Sequence, residues 1–534
     1  MKRFLSIFVC AFVFVGTMPA QPMEWRGIMI DVSRHFLPID YLYKEVDAME
    51  RFGLNKLHLH LTDAAGWRLE IKSRPRLTEI GAWRSAPLWK DWWNGDRKYS
   101  DRENGFGGYY TQSQMHSLID YAQKKGIDII PEIEFPAHSE EAVAAYPEIG
   151  YNHAEMDMAK EETYAFMRDV LTEVAALFPS HYIHVGGDEA TTQHGLQPEG
   201  MRRVKEIADS LGKRMIVWDE ALTDEPSDSD MIIMVWRNIG TAQKAMQLGH
   251  PAILCPGKYC YLDKAQDAPT TQPKAAGGYL PIDSVYALPL FNNQKLLGLQ
   301  ANVWTEHIET PEYMEYMLWP RAFAIAEIGR EGFTEDRDIQ AFHQRALEAT
   351  KILRDSLHIN AFNLAQEVGE RKIVVQNSPS TSSGTKCRVK SSLHYNTKPH
   401  SAYPGSSEEC LIDGIFGGWN NTDGKWQGFI GRGGMDVTLD LGRKTTVRSI
   451  MGDFMQSTGP EIFFPFRIKI SVSDDGSHYT LLSDKSYPDI YCTQSEDYRQ
   501  LGWQGRVKTQ FICLQAFPGD RGGWIFCSEV FAKK

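Results

Sequence analysis

"RGIMIDVSRHFLPIDYLYKEVDAMERFGLNKLHLHLTD", Arg26 to Asp63, sets the pattern for the first three hundred residues. An apolar run, "RGIMIDVS", is followed by "PIDYLYKEVDAMERFG", whose apolar residues recur at helical spacing, and then by a second apolar run, "NKLHLHLTD". The alternation continues through "IDIIPEIEF", "HYIHVGGDE", "RMIVWDE", "MIIMVWR", "PAILCP" and "LLGLQANVW", which makes eight strand candidates. Between them lie helical stretches such as "ETYAFMRDVLTEVAALF". Apolar strands separated by amphipathic helices indicate a parallel sheet covered on its outside. Eight such units in roughly 300 residues fit a (β/α)8 TIM barrel. The alternative α/β arrangement, a doubly wound sheet, lacks its Gly-rich dinucleotide turn after the first strand.

Polar residues gather at one end of each run. Ser33-Arg34 follow the first, Asp63 the second, Glu134 and His138 the third, and Asp188-Glu189 the fourth. Trp218-Asp219-Glu220, Trp236-Arg237 and Trp304-Thr305-Glu306 close later ones. In a barrel these ends share the rim on which active sites form. Wet strand ends account for any one of these groups, but poorly for a rim loaded repeatedly with Trp, Asp, Glu, Arg and His. The Trp-rich segment from about Arg68 to Tyr110 has little regular pattern and is expected to be an insertion over that rim.

The 534 residues exceed one ordinary core, so more than one domain is expected. The division is a signal peptide over 1–20, a barrel with trailing helices over 21–370, a linker over 371–386 and an antiparallel β-sandwich over 387–534. "MKRFLSIFVCAFVFVGTMPAQ" has the charged start, apolar stretch and small residues of an export signal, and no later stretch is apolar enough to span a membrane. Export to the periplasm, cell surface or medium is therefore expected. "NSPSTSSGTK", Asn377 to Lys386, is linker-like; beyond it, "MDVTLDLG" and "RIKISVSDDG" alternate with a period of two. A net charge of −12 argues against nucleic acid as the main partner. Without Cys10 seven cysteines remain, an odd number with no zinc spacing, and buried free thiols are the expected state of most.

"HVGGDEA", His184 to Ala190, packs two glycines against two adjacent carboxylates. Like charges that close resist ionising together, so the pairing is costly unless something uses it. An acidic helix start is the plain alternative.

"RGIMIDVSRHFLP", "NKLHLHLTDAAGWR", "PEIEFPAH", "HVGGDEA" and "ANVWTE" resemble, in order, the successive motifs of glycoside hydrolase family 20, the β-N-acetylhexosaminidases. The resemblance runs from Trp25 to Arg330. It departs at Asp63-Ala64-Ala65, where the family often has Asp-Asp-Gln, and the small domain that commonly precedes the barrel is not expected, since the barrel starts almost at the expected cleavage site.

The resemblance implies exo-acting release of terminal β-linked GlcNAc or GalNAc from oligosaccharides or glycoconjugates, with retention and without a cofactor. The family stands outside the two-carboxylate scheme, because the substrate's acetamido oxygen attacks the anomeric carbon. Glu189 would then protonate the departing oxygen and Asp188 would face the acetamido N–H, with His138 and Asp63 as a polar relay. An ionised Asp188 is expected to raise the pKa of Glu189, as a general acid needs. Arg34, Asp263 and Glu306 would bind sugar hydroxyls, Tyr261 would contact the acetamido group, and Trp218, Trp236 and Trp304 would wall the pocket. No metal is expected in the active site.

The C-terminal segment resembles the discoidin-like, coagulation-factor type C sandwich shared by carbohydrate-binding modules. Asp413 and Glu529 fall where such modules sometimes hold a structural Ca²⁺. Two other functions stay open on the residues alone. One is a barrel glycosidase with Glu134, Glu220 or Glu306 as nucleophile; the other is a non-catalytic glycan-binding surface protein.

Overall fold

The computed structural model describes residues 21–223, 230–334, 336–371, 392–491 and 496–533. The expected signal peptide and nearly all of the expected linker lie outside the described residues, as do Cys387 and Cys492.

Eight parallel strands close into a barrel: β1 (Trp25–Asp31), β2 (Lys56–His60), β3 (Asp128–Phe135), β4 (Tyr182–Gly186), β5 (Arg214–Trp218), β6 (Ile232–Val235), β7 (Ala252–Leu254) and β8 (Leu296–Val303). Each pairs with its neighbours in sequence, and β1 closes the ring on β8 with Trp25 opposite Gly298. Every strand candidate named from the sequence is one of these eight. Helix α1 (Ile39–Phe52) buries Leu42, Val46, Met49 and Phe52, one stripe at helical spacing. It stops at Gly53, whose left-handed backbone (φ 79°) closes the last turn. Helix α2 (Glu161–Leu177) likewise buries Phe166, Met167, Val170, Leu171 and Val174.

The expected rim insertion holds a short ribbon, Trp83–Arg84 against Phe106–Gly107, and the helical turn Trp89–Trp93. No helix among the described residues is long and apolar enough to cross a membrane.

The C-terminal domain is antiparallel, as its period-two pattern requires. Its strands are β9 (Ser392–Tyr395), β10 (Gln427–Ile430), β11 (Met435–Ser457), β12 (Arg467–Ser473), β13 (Thr480–Ser486), β14 (Glu496–Phe517) and β15 (Trp524–Lys533). All seven are hydrogen-bonded into one sheet around a shared core that includes Val437, Leu439, Ile450, Ile470, Leu514 and Ile525. Arg371, at the end of the barrel's trailing segment, forks onto buried Asp453 of β11 with two contacts of 2.8 Å. Trp419 Nε1 donates to Gly369 O at 2.9 Å beside it.

Candidate active site

The barrel lumen is polar beneath the rim. In "KLHLH" the leucines and histidines fall on opposite faces of β2, and His58 and His60 turn inward. They meet Glu132 of β3, with His58 Nε2 3.1 Å from Glu132 Oε2 and His60 Nδ1 in contact with the same oxygen. His184 Nδ1 of β4 lies 2.8 Å from Glu132 Oε1. Burial opposes ionisation of Glu132, but the His184, His60 and His58 rings around it hold it well below the usual carboxylate range.

This cluster carries the first rim residues. His60 Nε2 donates to Asp63 Oδ2 at 2.8 Å, and Arg34 Nη2 lies 2.6 Å from the same oxygen. Arg34 Nη1 also reaches Asp31 Oδ2 at 3.4 Å, which fixes the guanidinium from two sides. The other oxygen of Asp63 accepts from His138 Nδ1 at 3.2 Å. His138 then turns Nε2 toward the adjacent pair, 3.2 Å from Glu189 Oε2 and 3.7 Å from Asp188 Oδ2. Arg34, Asp63, His138, Asp188 and Glu189 come from four different strand ends and form one continuous network.

The two glycines of "HVGGDEA" make this geometry possible. Gly186 and Gly187 both have left-handed backbones (φ 67° and 94°). A Cβ on Gly186 would stand 1.8 Å from Glu134 Oε2, so only glycine passes that carboxylate. Glu189 (φ 47°) and His138 (φ 53°) also sit in the left-handed region, where non-glycine residues are strained. Strain of this kind collects where side chains must be aimed. The Glu189 N–H donates to Glu220 Oε2 at 3.0 Å, which holds the turn from outside.

Aromatic rings close the opposite side. Trp304 stands with its centroid 6.1 Å from Trp218 and 5.9 Å from Tyr261, and Tyr261 is stacked on Trp236 at 6.2 Å and 17°. Arg34 Cζ lies 5.0 Å from the Trp304 centroid, which ties this wall to the charged network. Several buried polar atoms here find no hydrogen-bond partner in the protein: Arg34 Nε, Asp188 Oδ1, Trp218 Nε1, Trp236 Nε1 and Asp263 Oδ1. Unsatisfied buried groups are rare in folded proteins, and their collection in one place marks a surface built for a polar ligand.

The electrostatics reverse one expectation. Burial, against the attraction of His138, raises Asp188 to about 6. Glu189 is held below its ordinary value, first by its contact with His138, although partial burial opposes this. The expected order, in which an ionised Asp188 raises Glu189, fails because Glu189 is the more exposed of the two and lies closer to the His138 ring. His138 itself is raised well above the usual histidine range: burial opposes this, but Asp63 and Asp188 prevail. Asp63 stays well below the usual range, because Arg34 and His138 overcome its burial. The proton available at neutral pH therefore rests on His138, beside Glu189.

The model of glycosyl hydrolase family 20, catalytic domain, matches residues 23–199 and 190–331. The chain belongs to glycosyl hydrolase family 20. Relatives of the chain include the beta-hexosaminidase of Porphyromonas gingivalis, 35% identical over 345 residues, covering 57% of this chain and 42% of the relative. That of Vibrio furnissii is 35% identical over 353 residues, covering 58% and 57%. Among solved structures, the family 20 exo β-N-acetylglucosaminidase of Vibrio harveyi in complex with N-acetylglucosamine is 29% identical with a TM-score of 0.55. It covers 64% of this chain and 59% of that one. A mutant Streptomyces plicatus beta-hexosaminidase in complex with the product GlcNAc is 28% identical with a TM-score of 0.56, covering 65% and 72%. The chain thus spans 42% and 57% of the length of the two beta-hexosaminidases named first.

Within this family 20 site, Asp263 is buried and Glu306 half-buried; burial raises them to about 6 and about 7. Glu134 is fully buried under Gly186 and raised well above the usual range, first by burial and then by Asp188. Glu134 and Glu306 are therefore reluctant anions, which weakens them as enzyme nucleophiles. His58, His60, Glu132 and His184 were missing from the residues singled out in the sequence. Their signal was the strict alternation of polar and apolar residues within runs that looked uniformly buried.

Among the described residues, groups of three or more His, Cys, Asp or Glu with ligand atoms within 4.8 Å of one another are His58–Glu132–His184 and His60–Glu132–Glu134. Asp413 and Glu529 belong to neither, although one loop brings them together: Ile415 N–H donates to Asp413 Oδ1 and Gly414 N–H to Glu529 Oε2. The described cysteines, Cys255, Cys260, Cys410, Cys513 and Cys527, are free thiols, and all but Cys513 are buried.

Proposed function

We propose that this chain is an exported, exo-acting β-N-acetylhexosaminidase that releases terminal β-linked GlcNAc or GalNAc from oligosaccharides or glycoconjugates. The observation that carries this reading is the set of unpaired buried polar atoms between the Asp188–Glu189 pair and the wall of Trp218, Trp236, Tyr261 and Trp304. Indole faces suit the apolar faces of a pyranose and an acetamido methyl, while Arg34, Asp263 and Glu306 suit its hydroxyls.

The reaction is retaining and substrate-assisted. The acetamido oxygen attacks the anomeric carbon and the bond to the leaving oxygen breaks, giving an oxazolinium that water then opens. Asp188, ionised above pH about 6, accepts the acetamido N–H and faces the positive charge that develops. Glu189 delivers a proton to the leaving oxygen. His138 supplies it through the 3.2 Å contact, and the imidazole left behind stays oriented by Asp63. A hydrogen bond from substrate to Asp188 favours its carboxylate, the form that faces the developing charge.

The C-terminal domain is read as a discoidin-like module that holds the enzyme on its glycan. Export rests on the charged and apolar residues that open the chain. A panel of chromogenic glycosides differing in sugar, anomer and 2-substituent tests the enzymatic reading. Turnover confined to β-linked 2-acetamido sugars supports it, and turnover of plain β-glucosides removes it.

A further inference from the structure

A second cavity opens against the outer side of Glu189. It has a volume of about 550 Å³, and its lining includes Trp93, Arg97, Glu140, Glu155 and Glu220 together with His138 and Glu189. None of the residues assigned above to the released sugar (Arg34, Trp218, Trp236, Tyr261, Asp263, Trp304 and Glu306) lines it. Glu189 protonates the oxygen that joins the two halves of the substrate. The half that departs therefore occupies the side of Glu189 away from those residues.

One wall of the cavity, Trp93 and Arg97, comes from the Trp-rich insertion. Trp92 is fully buried, packs with Ala64 and Ala65, and donates from Nε1 to Lys98 O at 2.9 Å. Tyr99 Oη donates to Ala64 O. The two alanines at the departure from the family's Asp-Asp-Gln pattern are thus the floor on which the insertion sits. Larger polar side chains there would compete with the Trp92 ring for space.

On this base, Trp93 stacks on Trp89 at 4.9 Å and 21°, and Arg97 Cζ lies 3.4 Å from the centre of the Trp93 ring. Arg97 has a left-handed backbone (φ 48°), donates from Nε to Trp93 O at 3.2 Å and from Nη1 to Glu140 Oε1 at 3.1 Å. The guanidinium is thus held at three points, by the Trp93 ring, the Trp93 carbonyl and Glu140.

We propose that Trp93 and Arg97 form a subsite for the leaving sugar and make the enzyme select substrates in which that sugar is neutral and rich in hydroxyls. This deepens, and rests on, the reading of Asp188 and Glu189 given above. Four carboxylates (Glu140, Glu155, Glu189 and Glu220) line the cavity against two cations, Arg97 and His138; Glu140 is paired with Arg97, and Glu155 accepts from Thr191 and Thr192, which leaves an excess of negative charge. Carboxylates accept hydroxyl protons well and repel an anionic sugar, while the Arg97 fork donates to a ring hydroxyl.

The test compares three substrates with the same N-acetylhexosamine: a nitrophenyl glycoside, a neutral disaccharide, and a disaccharide whose leaving sugar is a uronic acid. Each is assayed with wild type, Arg97→Met and Trp93→Ala. The ratio of kcat/KM for neutral disaccharide to that for nitrophenyl glycoside should fall roughly tenfold or more in both variants, as expected when a charged hydrogen bond is lost. That ratio does not depend on how much of a variant has folded, and Arg97→Lys should restore part of it. Wild type should prefer the neutral disaccharide to the uronic one. An unchanged ratio in both variants, or a preference for the uronic sugar, overturns the subsite while leaving the Asp188–Glu189 reading intact. A wild type that cleaves neither the nitrophenyl glycoside nor the neutral disaccharide overturns both.

Discussion

His138 Nε2 stands 3.2 Å from Glu189 Oε2, while the other ring nitrogen is held by Asp63 at 3.2 Å. In the proposed mechanism this contact, more than the adjacency of Asp188 and Glu189, sets where the acid's proton rests. With His138 raised and Glu189 lowered, the pair shares one proton that favours the imidazole.

Activity should fall as pH rises through the raised His138 pKa, because the protonated ring is the form that supplies the acid. In His138→Gln, Glu189 loses the cation that lowers it and must hold the proton alone. The alkaline limb of kcat/KM should then move to lower pH, with kcat reduced. A pH profile of unchanged shape would separate His138 from the proton supply.

Glu189→Gln should lower kcat by roughly the 10²–10⁴ typical of lost general acid catalysis. The loss should be greatest for alkyl or sugar leaving groups and smallest for dinitrophenyl glycosides, which need little protonation. Equal losses across a leaving-group series would deny Glu189 the acid role.

Asp188 must be ionised to face the oxazolinium, and burial raises it to about 6. The sign follows: activity is present above that pH and declines as pH falls through it. Asp188→Asn should remove this acid limb and lower kcat on acetamido substrates. Measuring the acid limb in both proteins checks the assignment; persistence of the same limb in Asp188→Asn contradicts it.

Arg371 and Asp453 form a buried bidentate pair between the trailing segment and the C-terminal domain, with the Asp453 carboxylate fully buried. Arg371→Met leaves that carboxylate buried without its cation, which costs about 3–5 kcal/mol in comparable sites. The C-terminal domain should become protease-sensitive at lower denaturant concentrations, while a nitrophenyl glycoside is still cleaved. A chain ending near Val375 should also keep that activity but lose apparent affinity for a polymeric glycan, through lost effective concentration. Unchanged polymer affinity would leave the domain without a glycan-binding role.

The barrel was legible because each strand is buried on both faces and each helix on one, so periodicity separates them over Arg26–Asp63 and again along the chain. Arg34, Asp63, His138, Asp188 and Glu189 were legible as strand ends, and the structure joins them into one network. The protonation order within it was not. Adjacency in sequence shows Asp188 beside Glu189, but not that His138, fifty residues earlier, lies closer to Glu189 than to Asp188. The Ala64-Ala65 departure was visible as a difference without a purpose, since its partner Trp92 approaches only when the insertion folds back. His58, His60, Glu132 and His184 were hidden by a related limit. Their runs read as apolar strands, and only closure of the barrel shows that the polar positions alternating along them point into one lumen.

The central claim, that the substrate's own acetamido oxygen is the nucleophile beside Asp188, is tested most directly by two aryl β-glycosides differing only in the 2-substituent, acetamido or hydroxyl. An intramolecular nucleophile can be worth an effective molarity of roughly 10⁵ M or more, so kcat/KM for the 2-hydroxy glycoside should be lower by a comparable factor. The β configuration should be retained in the acetamido product, with no glycosyl-enzyme adduct detectable by mass spectrometry. Comparable rates for the two glycosides, or an adduct trapped on a carboxylate such as Glu306, would contradict it.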